Sequence, residues 1–219
     1  MNIFRRLWMI AARPGTYFSE QDIDVGYWSL VTYYALASCV VVVVRIILNY
    51  SLEVISYTRL LERFPDIAGA PPSFMWPEFI GGLIGSIVVA AIGMFMLAGI
   101  FHLFVLLLGG REGYKNTFRV AARVGIVSMA YAVILLVIRF LYLGSNLGTM
   151  LTNGWVVVST VHVAWLWTAG LSVTQKISKI KSFLVWLIPV VAIVLAYYFL
   201  GPYLLYRYEV AMMNLNKPF

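Results

Sequence analysis

His162 is the residue of this sequence best placed to do chemistry inside a membrane. It stands near the middle of the apolar run VVVSTVHVAWLWTAG, with Ser159, Thr160 and Thr168 close by. An imidazole at that depth can relay a proton, and a deeply placed ionisable group defaults to a functional reading. The competing reading is a neutral histidine hydrogen-bonded across helices, with no transport or catalysis attached. His102, in GIFHLFVLLLGG, lies nearer the end of its apolar run and reads as structural. Arg45 and Arg139 fall toward the opposite ends of theirs, where a long side chain can snorkel to the headgroups. The sharper alternative is a pair of cations that takes an anionic ligand or a lipid phosphate.

Other chemistry has little to work with. Two histidines, with no carboxylate inside any long apolar run, make a poor metal site, because zinc takes three or four protein ligands and oxygen-ligated divalent ions need acidic residues. The single cysteine, Cys39, excludes a disulfide framework within the chain and reads as packing. No nucleophile motif, phosphate-binding glycine loop, HExxH helix or paired carboxylates appear, so no catalytic residue, metal or cofactor is assigned. A lipid-acting enzyme using His102 with Glu112 rests on nearness in sequence alone.

These residues need elements to hold them, and composition says which kind. Of 219 residues, 62% are hydrophobic and 11% charged, far below the quarter or so of charged residues typical of a soluble domain. Lipid is part of the solvent. Five stretches reach the roughly 20 residues that span a bilayer as helix, near 26–48, 79–108, 120–143, 154–173 and 183–206. None alternates as a barrel strand does. The expected fold is therefore an all-α integral membrane bundle of about five transmembrane helices, with Pro189 and Pro202 breaking the last.

Residues 1–25 place Ile3, Phe4, Leu7, Trp8, Ile10 and Ala11 at helical spacing among Arg5, Arg6 and Arg13, which predicts an amphipathic segment lying flat at the interface. Lys and Arg favour the cytoplasmic ends of spans. Arg5, Arg6 and Arg13 precede the first span, Arg111, Lys115, Arg119 and Arg123 follow the second, and Lys176, Lys179 and Lys181 follow the fourth. The N-terminus is thus expected in the cytoplasm and the C-terminal tail, 207–219, outside. The loop 49–78 then lies outside, with a short helix over 51–64 closed by Pro65, Pro71, Pro72 and Pro77.

The net charge of +7 is spread over span ends and forms no single stripe, which argues against nucleic acid and for anionic lipid headgroups as a partner. Gly81, Gly85 and Gly93 recur along the second span, where small residues let another helix approach closely. The expectation is packing within the chain, with a seam to a second copy or another membrane protein as the alternative.

The turn after the second span, LFVLLLGGREGYKNTFRVAARVG, ends a helix at a glycine pair and restarts one with Asn116 or Thr117 as N-cap. The run from His102 through Gly109, Gly110, Arg111, Gly113, Tyr114, Lys115, Thr117, Phe118 and Arg119 resembles the Yip1-type membrane domain, as does the early LWMIAARPGTYF. The resemblance implies a five-span bundle whose eukaryotic members associate with one another and with small GTPases in vesicle traffic. The eukaryotic Asp-Leu-Tyr-Gly-Pro signature is only echoed here by Asp24, Gly26 and Tyr27, which argues against a GTPase partner.

Function is then expected to be that of a non-enzymatic scaffold or accessory subunit packed against another membrane protein. A lipid or small-molecule permeation pathway is the alternative, and a lipid-acting enzyme comes third. The compact chain without a targeting leader favours a bacterial or archaeal cell membrane over a eukaryotic endomembrane.

Overall fold

The computed structural model describes the backbone of residues 3–20, 26–64 and 70–215, and the side chains of 8–19, 26–64 and 70–200. Seven helices run in order: α1 (Ile3–Ala12), α2 (Pro14–Glu20), α3 (Tyr27–Arg63), α4 (Trp76–Leu107), α5 (Tyr114–Leu141), α6 (Asn146–Thr174) and α7 (Lys179–Leu215). No strand occurs among the described residues. Helices α3 to α6 and the Lys179–Leu200 part of α7 are long and apolar enough to cross a membrane, and the fold is an all-α, five-span membrane bundle.

Several expected boundaries move. The first span and the short helix over 51–64 are one helix, α3, of 37 residues. At about 1.5 Å per residue that is roughly 55 Å, well beyond a hydrocarbon core of about 30 Å. No proline or glycine falls between 48 and 51 to interrupt it, and it stops at Phe64, the residue before Pro65, where helical backbone is disfavoured. Helix α4 opens with Pro77 in its first turn, a position whose missing N–H costs nothing. The expected breaks at Pro189 and Pro202 do not occur, since α7 continues through both. A proline forfeits one intrahelical bond, and the remaining bonds carry the helix on.

Helix α5 is the centre. It packs on α3, α4 and α6, with α7 on the far side of α6 and at the edge of α4. Eight consecutive residues, Thr117 to Val124, are buried, so the start of α5 has no solvent or lipid face at all. Ala121 and Ala122 leave room for neighbours on both sides. At Gly125 an added Cβ would come within 2.6 Å of the Tyr34 ring, and at Gly170 within 2.8 Å of Val120 and 3.0 Å of Phe18. These glycines set the closest helix approaches.

The N-terminal segment does not follow the flat interfacial path predicted for it. Its contacts climb α6: Phe18 meets Gly170, and the Ala11 carbonyl meets His162, eight residues further along. At about 1.5 Å per residue, that is some 12 Å deeper into the bundle. Helix α1 also touches α5. The buried side chains Ile10, Tyr17 and Phe18 belong to the main core, so part of the segment's apolar face is taken up within the chain.

Candidate functional site

The basic end of the bundle gathers most of the polar residues singled out above, and its backbone explains how. Helix α4 closes with Gly109, at φ +93°, whose N–H bonds to Leu106 O, and with Gly110, whose N–H bonds to Val105 O. This is the paired left-handed stop that favours glycine. Gly113, at φ +81°, then starts α5 at Tyr114. Asn116 and Thr117, expected to cap, stand inside the helix instead, because Gly113 makes the turn three residues earlier.

Freed from capping, both side chains bond across helices. Asn116 Nδ2 donates to the carbonyls of Glu112 (3.0 Å) and Thr174 (3.2 Å). Thr117, fully buried, shares a hydrogen bond with His102 Nδ1 (3.0 Å) and accepts from Gln175 Nε2 (3.0 Å). Gln175 also donates to Gly113 O (2.9 Å), and its Oε1 accepts from the N–H of Glu112 (3.2 Å). One buried amide thus ties the α4–α5 turn to the end of α6. Gln175 escaped sequence reading, since a glutamine after an apolar helix looks like an exposed cap. Tyr114 donates to Phe95 O (3.0 Å) and packs with Tyr27, Phe118 and His102.

The cations of this turn divide into two sets. Arg111 is exposed and Lys115 half-buried. Arg119 and Arg123 are 4% and 6% exposed, and lie one turn apart on α5. Arg123 lies over the rings of Tyr17 (5.1 Å) and Phe18 (5.8 Å) of α2. Glu112 pairs with Lys176 at 2.9 Å, and His102 bonds to Thr117, so the acid and the histidine are each engaged elsewhere.

A family model described as the Yip1 domain matches residues 9–201. The chain belongs to the Yip1 family. The matched region takes in α2 to α6, the glycine turn and the membrane part of α7. Comparison with curated proteins and with solved structures gives no match. The Yip1 family is not a known enzyme family.

The remaining residues of interest fall elsewhere in this Yip1-family bundle. Gly81, Gly85 and Gly93, expected to pack within the chain, face open space: a Cβ on any of them meets nothing within 4 Å. Between α3 and α4 runs a groove of about 790 Å³, lined by Gly85 and Gly93 along its length and by Arg45, Glu53 and Glu78 among its polar residues. Arg139, exposed on the last turn of α5, is not among its lining residues, so the groove takes Arg45 without Arg139. Cys39 Sγ meets Ser86 Oγ at 3.6 Å where α3 crosses α4.

His162 is engaged at both nitrogens. Nε2 donates to Ala11 O at 2.8 Å. A carbonyl can only accept, so Nε2 carries a proton, and Nδ1 shares a hydrogen bond with the Tyr131 hydroxyl. Tyr131 in turn takes the Trp155 indole N–H on its carbonyl at 3.1 Å. A cavity of about 400 Å³ opens beside them, between Trp8 and Ala11 on one side and Trp155 and Val158 on the other. The geometry makes His162 a fastener that holds α1 and α5 to α6.

Proposed function

We propose that the chain is a non-enzymatic membrane scaffold or accessory subunit that packs against another membrane protein or a second copy of itself, with anionic lipid headgroups around its basic end. The supporting observation is the open stripe of Gly81, Gly85 and Gly93. Small residues at which an added Cβ would meet nothing within 4 Å leave room for a second helix to approach closely. The basic end, by the charge rule for short loops, is proposed to face the cytoplasm, and a bacterial or archaeal cell membrane suits the chain. Permeation draws less support, because His162 has both ring nitrogens engaged and α7 runs unbroken.

The test is extraction under mild conditions with a C-terminal tag and mass spectrometry of what stays bound. A stoichiometric protein partner or self-associated chain is expected, and Gly85→Leu removes it by about tenfold in yield, as for a blocked close contact, without lowering the Tm. A lone monomer, or a complex indifferent to Gly85→Leu and Gly81→Leu, refutes the reading. Flux of a solute or scrambling of lipid in reconstituted vesicles above empty liposomes would favour the permeation reading instead.

A further inference from the structure

Arg119 is a buried cation only half provided for. Its Nη1 donates to Asn116 Oδ1 at 3.2 Å, while Nε and Nη2 are closed off from solvent with no hydrogen-bond partner. An ionised side chain left uncompensated in the interior is among the costliest groups a fold can carry. The two unpaired atoms are not an arbitrary pair. Nε–H and Nη2–H lie side by side on one edge of the planar guanidinium and point the same way, the arrangement that grips two oxygens of one oxyanion bidentately.

Nothing described at this end supplies that oxyanion. Glu112 is committed to Lys176, and Glu53 and Glu78 line the groove near the other end of α3 and α4. The surroundings add positive charge: Arg111, Lys115, Lys179 and Lys181 lie on the same end of the bundle. A ligand that carries more than one negative charge, or offers several oxygens, fits such a field better than a lone carboxylate.

We propose that the free Nε/Nη2 edge of Arg119 seats a phosphate group at the basic end of the bundle. A phospholipid headgroup and free inorganic phosphate share this chemistry. The seat lies away from the α4 glycine stripe and does not depend on the scaffold reading. Both nitrogens are closed to solvent in this conformation, so the phosphate enters by displacing the cover.

The experiment uses the full chain, stripped of lipid in detergent, with phosphatidic acid or inorganic phosphate titrated and read by native mass spectrometry. A saturable one-to-one adduct is expected. Arg119→Lys keeps the charge and loses the fork, and weakens binding about tenfold or more. The rim double variant Arg111→Ala/Lys115→Ala changes it less than about threefold. Competition of inorganic phosphate with the lipid identifies the free phosphate as sufficient, and lipid binding untouched by phosphate identifies the headgroup. No one-to-one adduct with either probe, or equal affinity in Arg119→Lys, overturns the proposal. Should Arg119→Lys not fold, the wild-type protein still decides: one arginine Nε resonance must shift on addition of the bound probe, and none shifting refutes the seat.

Discussion

Gln175 shows how one buried amide can join two distant parts of a chain. Its side chain meets Gly113, Thr117 and Glu112, some sixty residues away, and leaves none of its three bonds to solvent. Gln175→Leu keeps the bulk but takes away the Gly113 O and Glu112 N–H partner and leaves the buried Thr117 hydroxyl with His102 alone. The expected cost is about 1–3 kcal/mol, read as a lower Tm in detergent, with Thr117→Val lowering it less because Gln175 keeps its two backbone partners. At this scale the sequence was only partly readable. His162 stood out because an ionisable residue in an apolar run has few neighbours to hide among. Its partner, the Ala11 carbonyl, is 151 positions away, and a backbone acceptor carries no signature in residue type. Arg119 and Arg123 read as headgroup contacts because positive charge at a span end normally is one. Their burial comes from packing around α5, with Tyr17 and Phe18 of α2 over Arg123, which no local pattern expresses.

Among the elements, the glycine pair that ends α4 was legible because only a left-handed stop needs glycine there, and the start of α5 was misread because Asn and Thr favour caps, whereas here Gly113 takes the cap and their side chains bond to neighbouring groups instead. The same helix offers a paired test. Gly109→Ala forces a side chain into φ +93° and is expected to destabilise by about 1–3 kcal/mol. Gly99→Ala lies within α4 with nothing within 4 Å, and is expected to be neutral or to stabilise by up to about 1 kcal/mol. Thermal unfolding of the two variants in one detergent checks the opposite signs. The glycine stripe failed as a packing signal for a physical reason. Spacing of four marks a face of the helix without saying what that face meets, and the close contacts fell to Gly125 and Gly170, which belong to no repeat.

For the whole molecule, span number and class followed from composition and length, because a bilayer sets the length of a helix more strictly than a soluble core does. Span ends did not follow, since apolar content ends where the lipid ends while helix α3 runs on to Arg63. Nor did the seating of the N-terminal segment. His162→Ala removes the bond to Ala11 and is expected to speed amide exchange over residues 3–12 by roughly tenfold, the equivalent of about 1.4 kcal/mol, with the exchange of α5 unchanged. Equal exchange in both proteins would mean that the Ile10, Tyr17 and Phe18 contacts alone hold the segment. That seating also has a consequence in time. The first twenty residues leave the ribosome long before Gly170 and His162 exist, and at about 5–20 residues per second the interval is on the order of ten seconds. An amphipathic stretch that must wait so long beside a bilayer needs a place to wait, and an apolar face flanked by arginines provides one. The interfacial pattern written into residues 3–13 then describes a stage of biogenesis, and the docked position against α6 its end.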